Sequence, residues 1–128
     1  MINRRPYIAE STVKPGCAVV QGSADNKVEV PGNSGAGDFI GLYPFEANEV
    51  KAVGEEIGIV LHGVAKAVAG GTVAAGKKAI LKNDTSGSLV VLPTVAGNYN
   101  TVGTFLESGS AGDYVDVLIE RGNVTVSA

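Results

Sequence analysis

Few residues in this chain carry catalytic chemistry, and their spacing keeps them apart. His62 is the sole histidine and Cys17 the sole cysteine. One imidazole cannot supply a two-His metal site or a histidine relay, and one thiol rules out an intrachain disulfide and a cysteine-based zinc site. His62, between Leu61 and Gly63, reads as a packed or edge residue; Cys17, preceding Ala18-Val19-Val20, reads as a small buried apolar side chain. Glu55-Glu56 offers two carboxylates, but neighbours on a strand point to opposite faces and would not share a site. Asp113 and Asp116, three apart, fail for the same reason. The glycines of residues 32–37 lack the following Lys-Ser/Thr and the helix of a phosphate cradle. The expectation is a chain with no catalytic, cofactor-binding or metal-ligating set, and so not an enzyme.

Two stretches offer contact chemistry instead. Residues 43–49 (Tyr-Pro-Phe-Glu-Ala-Asn-Glu) place two aromatics and two carboxylates on a loop with room for one helical turn. Tyr43 and Phe45 are candidate partner-binding residues there; the competing reading is that the rings plug one end of the fold. Residues 1–12 show no clear period and read as an extended N-terminal arm. Arg4, Arg5 and Tyr7 are its candidate contacts, through addition of a strand to a partner's sheet edge.

The elements that position these residues are strands, and they occur twice. Val13-Lys14-Pro15-Gly16-Cys17-Ala18-Val19-Val20 returns as Val73-Ala74-Ala75-Gly76-Lys77-Lys78-Ala79-Ile80. Val13 to Val20 is expected to form a strand, with Pro15-Gly16 bending its start. A polar turn follows each copy, then a short apolar return run: Val28-Glu29-Val30 in the first, Leu89-Val90-Val91 in the second. Ile40-Gly41 matches Val102-Gly103. Gly54-Glu55-Glu56-Ile57-Gly58-Ile59 matches Gly112-Asp113-Tyr114-Val115-Asp116-Val117, whose alternation gives a half-buried strand. The pseudo-repeats span about 13–68 and 73–126. Each is too short in large apolar groups for a separate domain. The two are expected to build one compact all-β domain, barrel or sandwich, over residues 13–128, which hides strand edges.

Composition agrees. The chain has 128 residues, with 19 Val, 15 Ala and 18 Gly but only seven aromatics. Val suits a pleated surface and abundant Gly disfavours long helices. A chain of this size buries roughly two-thirds of its unfolded surface, and a mean hydropathy of +0.20 points to burial against further copies or another protein. Net charge is −3, with the first 14 residues at +2 and the rest acidic. An acidic body does not attract phosphate backbones, so nucleic acid is not an expected partner. No apolar segment reads as a signal peptide or a membrane span, which suggests synthesis in a cytoplasm.

The Val-Lys-Pro-Gly strand has a superficial likeness to biotin- or lipoyl-carrier domains, but neither Asn26-Lys27 nor Lys82-Asn83 supplies the modified lysine of their hairpin signature. The ordered series Val13-Lys14-Pro15-Gly16, Gly41, Gly54-Glu55-Glu56-Ile57, Gly63-Val64, Val73-Ala74-Ala75-Gly76, Val102-Gly103 and Ala111-Gly112-Asp113-Tyr114 resembles the tailed-phage capsid cement, or head decoration, proteins over residues 8 to 121. The resemblance implies a β-rich virion protein on the outer capsid surface, made in the host bacterial cytoplasm. It would bridge major capsid protein subunits, as a homotrimer or a dimer. The alternative class is a carbohydrate- or cell-surface-binding module, for which Tyr43, Tyr99 and Tyr114 are the available rings.

Overall fold

The computed structural model describes residues 3–31, 38–82 and 86–127. Residues 32–37 of the loop expected from Pro31 to Gly37, the centre of the turn at 83–85 and the first two residues of the arm lie outside them. The described residues form nine strands: β1 (Asn3–Ala9), β2 (Ala18–Gln21), β3 (Lys27–Glu29), β4 (Phe39–Leu42), β5 (Glu56–Val68), β6 (Lys78–Leu81), β7 (Leu89–Val91), β8 (Gly97–Phe105) and β9 (Tyr114–Val126). A single 3₁₀ turn, Phe45–Ala47, follows β4. The all-β fold built from two repeated halves is as the sequence reads.

Closure happens within the halves. β1 pairs in parallel with β3, β3 with β2, β2 with β4, β4 with β5, and β5 returns to β1, so five strands form a closed barrel. The second half repeats the order. Residues 63–68 of β5 pair with β9, β9 with β8, β8 with β6 and β6 with β7. A parallel bridge from Ala69 to Leu89 brings β7 back to the end of β5, as Ala9 meets Val28 in the first half. The Gly70 N–H donates to the Leu89 carbonyl, just as Glu10 N–H donates to Val28. β5 is thus the last strand of one ring and the first of the next.

The stretch read as an extended N-terminal arm is extended, and it lies along β5 as a strand of the first ring. β1 is hydrogen-bonded along β5 from Asn3 opposite His62 to Ile8 opposite Glu56. It corresponds to residues 63–68 in the second half. Its period is hard to read because Pro6, Arg4 and Arg5 are all exposed, while only Tyr7 and Ala9 turn inward.

The repeated glycines have local causes. Lys14-Pro15-Gly16-Cys17 is a turn closed by Cys17 N–H on the Lys14 carbonyl, with φ of 86° at Gly16. Proline in the second place and positive φ in the third fit a type II turn. Ala74 to Lys77 repeats it with φ of 87° at Gly76. Val13 therefore does not open a strand: it makes an isolated bridge to Lys51, and the strand begins after the turn, at Ala18. Gly41 and Gly103 answer a different need. A Cβ on Gly41 would stand 2.3 Å from the Val60 carbonyl oxygen, and one on Gly103 would stand 1.9 Å from that of Leu118. Both mark where a strand crosses tightly over the long strand of its half.

Two apolar clusters result. Tyr7, Val13, Val19, Tyr43, Ile57 and Ile59 lie in the first. The second gathers Leu89, Phe105, Val117 and Ile119 with Ala18, Leu42 and Val60 from the first half. The outer wall of one ring is thus core for the other, which fuses the halves into one body. Gly103→Ala is expected to cost roughly 2–3 kcal/mol, as an overpacked core site does. Gly58→Ala, whose Cβ would meet nothing within 4 Å, should stay within about 0.5 kcal/mol of the parent. Urea unfolding midpoints check both; equal midpoints for the two variants would remove the close-crossing account.

Candidate interaction surface

The five candidate contact residues do not come together. Tyr43 is buried, and its hydroxyl donates to the Glu49 carbonyl at 2.6 Å, which ties the loop of residues 43–49 onto the core. Its N–H donates to the Cys17 carbonyl, as Phe105 N–H donates to Lys77. Tyr43 and Phe105 are the two largest fully buried side chains and stand at equivalent places. Tyr43 is the plug of the first ring. Tyr7 is buried as well; the Arg5 guanidinium lies 4.9 Å from its ring centroid and donates to its hydroxyl at 3.4 Å. Arg4 and Arg5 are exposed on β1.

Phe45 sits elsewhere. The 3₁₀ turn carries it onto Tyr114 at the start of β9, with ring centroids 4.1 Å apart and planes tilted by 38°. Beneath Tyr114 lies Gly16, where a Cβ would come within 2.9 Å of the ring. The Val68 N–H donates to the Gly16 carbonyl. The stacked pair therefore joins the first ring to the second while leaving Tyr114 44% exposed.

Tyr114 opens onto the outward face of β5 and β9. Directly opposed pairs there are Val64 with Leu118, Lys66 with Asp116 and Val68 with Tyr114. The Lys66 ammonium lies 3.1 Å from the Asp116 carboxylate and 3.3 Å from that of Glu107. Glu107 also accepts the Asp116 N–H at 2.7 Å. Val64, Leu106 and Tyr114, each more than 40% exposed, surround this network. Paired charges and exposed apolar groups thus lie side by side on this face. The sequence signal was Phe45, with Tyr114 as a candidate ring of the alternative class; Tyr114, Lys66 and Glu107 are far apart in the chain and meet only through strand register.

The network responds to pH in both directions. The Asp116 N–H, then the Lys66 ammonium, hold Glu107 below its ordinary 4.5. The Asp116 and Glu107 carboxylates raise Lys66 above its ordinary 10.5. Other carboxylates serve turns. Glu55 accepts the Ala52 N–H at 2.7 Å and Asp113 the Ser110 N–H at 2.8 Å, in matching turns at Gly54 and Gly112. Among the described residues, no group of three or more His, Cys, Asp or Glu is placed to hold a metal ion.

A groove opens on another side. β6 and β8 pair only at Lys78–Thr104 and Ala79–Gly103, then part. The wedge between them has a volume of about 630 Å³, with Ile80 and Leu81 on one wall, residues 98–102 on the other, and Arg121 and Asp38 beside them.

No protein-family model matches the sequence, and no curated protein matches it. Among solved structures, the fold is similar to the crystal structure of the N base of head fiber gp8.5 in bacteriophage phi29. The TM-score is 0.62 at 15% identity, over 94% of this chain and 95% of that one. At that identity the likeness is one of fold.

Two measurements check the surface. A double-mutant cycle on Phe45→Ala and Tyr114→Ala is expected to give a coupling of about 0.5–1.5 kcal/mol, the range of aromatic pairs; strict additivity would mean the rings do not stabilise one another. Glu107→Gln should lower the melting temperature near neutral pH. Because a carboxyl with a depressed pKa stabilises the fold only while ionised, that difference should vanish as pH falls from 4.5 through the lower folded value. A difference that persists in acid would assign Glu107 a role other than its charge.

Proposed function

We propose that this chain is a structural protein of a tailed-phage virion, bound to the outside of the assembled capsid and stabilising it by bridging major capsid subunits. The observation that carries the reading is the fold likeness to a phage head-fiber base, which extends over nearly the whole of both chains. The order of the sequence motifs points the same way. In this reading the protein acts as an assembled copy set, a trimer around a three-fold position of the shell, and no step requires catalysis.

Physical features support such a role. Many modest contacts repeated on an ordered lattice give strong overall binding without any deep pocket. The outward face of β5 and β9 supplies contacts of that kind: Tyr114, Leu106 and Val64 for apolar area, with the Lys66 network setting orientation. The exposed Arg4 and Arg5 are available as charged rim contacts. Tyr43 and Tyr7 take no part in the proposal, since both are core residues.

The protein is expected to add symmetric density to purified undecorated phage shells when the mixture is viewed by electron cryomicroscopy. Leu106→Asp with Tyr114→Asp should cut shell occupancy at least tenfold, while circular dichroism shows the fold retained. Shells that stay bare at saturating protein would sink the capsid reading. Full occupancy by the double variant would move the contact to another face.

A further inference from the structure

We infer that the groove between β6 and β8 is a binding site for a neutral, hydroxyl-rich ligand of the oligosaccharide class. The inference goes beyond the capsid reading and does not depend on it. The groove's volume of about 630 Å³ lies within the roughly 300–1,000 Å³ typical of small-molecule sites.

The groove exists because β8 outgrows its partner. A register shift between Thr101 and Gly103 turns the strand away from β6, and residues 97–101 run on as a two-stranded ribbon with residues 122–126 of β9. Asn98 and Asn100 share one face of the ribbon and Tyr99 takes the other. All three line the groove, which therefore follows the strand's open edge. Among the described residues no strand pairs with this edge beyond Gly103, so its backbone groups add donors and acceptors to those of the side chains.

Those side chains are held in place with capacity to spare. Asn100 Oδ1 accepts from Asn123 Nδ2 at 3.0 Å, and Asn98 Oδ1 accepts from the Thr125 hydroxyl. Each bond fixes an amide by its oxygen and leaves its NH₂ group to donate elsewhere. Arg121 Nη1 donates to the Phe39 carbonyl at 3.1 Å, which anchors the guanidinium across the two halves and leaves its other donors over. Asp38 lines the same groove, and the ion pairs found among the described residues do not include one between it and Arg121. The Tyr99 hydroxyl is tied to the Val95 carbonyl at 2.9 Å, fixing the ring.

This combination selects the ligand class. One carboxylate and one guanidinium balance, so the groove has no net attraction for phosphate or for a polyanion. Fixed amides, a carboxylate acceptor and a forked donor match vicinal hydroxyls, while Tyr99, Ile80 and Leu81 offer apolar surface to the C–H faces of sugar rings.

The test is a titration of the intact protein by amide-resolved NMR, using maltoheptaose, chitotetraose, a fucose-containing neutral oligosaccharide and a sialylated one. At least one neutral saccharide should shift the amides of residues 38–40, 80–81, 98–102 and 121–122, and the sialylated one should bind more weakly. Asp38→Ala, at an exposed position, should weaken binding at least tenfold with an unchanged unfolding midpoint; Asn100→Ala, and Arg121→Lys, which keeps the charge but loses the fork, should weaken it as much while circular dichroism shows the fold retained. No shift with any neutral saccharide at millimolar concentration overturns the assignment, as do shifts confined to Phe45 and Tyr114. An alternating apolar-polar hexapeptide that occupies the β8 edge and is not displaced by the saccharides would also overturn it, making the groove a strand acceptor.

Discussion

The structure depends on β5 pairing twice. Along Glu56–Val68 this one strand first takes β1 and β4, then β9. Its side chains must therefore serve two cores. Ile57 and Ile59 point into the first cluster, Val60 into the second, and Ala65 and Ala67 continue there. Two consecutive buried residues, Ile59 and Val60, break the simple alternation of a strand with one buried face. The break is the point where the strand leaves one ring for the other. A five-stranded ring of about sixty residues is marginal by itself, because small chains bury too little surface. Sharing a strand, and using the outer wall of the first ring as core for the second, lets both rings close with small Val and Ala side chains.

That economy explains why the repeat is written in glycines. Each ring needs a sharp turn before its second strand and a close crossing of its fourth strand, and both requirements fall on backbone. Gly16 and Gly76 take the positive φ of the turn. Gly41 and Gly103 let β4 and β8 cross within contact of carbonyl oxygens. These needs are local and steric, so they show in the sequence as paired motifs, while the apolar residues between them vary freely among Val, Ile, Ala and Leu.

Other parts of the fold leave a weaker trace in the sequence. The duplicated order, the hairpins β2–β3 and β6–β7, and the alternation of Tyr114 to Ile119 were legible because one face is apolar and the other polar. β1 was not. It stands in place of a strand already written in the body, yet only Tyr7 and Ala9 face inward and Pro6 interrupts the pattern. The first residues of β8 and the last of β9 were also hidden, since Asn98, Asn100, Asn123 and Thr125 show no alternation of apolar and polar side chains. Their pairing rests on cross-strand amide and hydroxyl bonds rather than on burial. Of the candidate contacts, aromatic identity alone could not separate Tyr43, a plug, from Phe45, a clamp on Tyr114. Three-dimensional neighbours decide that, and register sets the neighbours.

The ribbon is where the repeat departs from itself, and that departure bears on function. Beyond His62, β5 finds β9 waiting as the next ring's strand. Beyond Glu120, β9 has no third ring among the described residues, and residues 122–126 turn to an elongated β8 instead. A two-stranded ribbon gains little from burial and is marginal alone in water. Here it is steadied by its polar ladder and by Arg121 reaching back to Phe39. The wedge it leaves against β6 is not demanded by closure of either ring. Features that closure demands, such as Tyr43, Gly41 and Gly103, are core constraints wherever they occur. Features it does not demand, the groove and the outward face around Tyr114, are where surface chemistry is free to serve a partner.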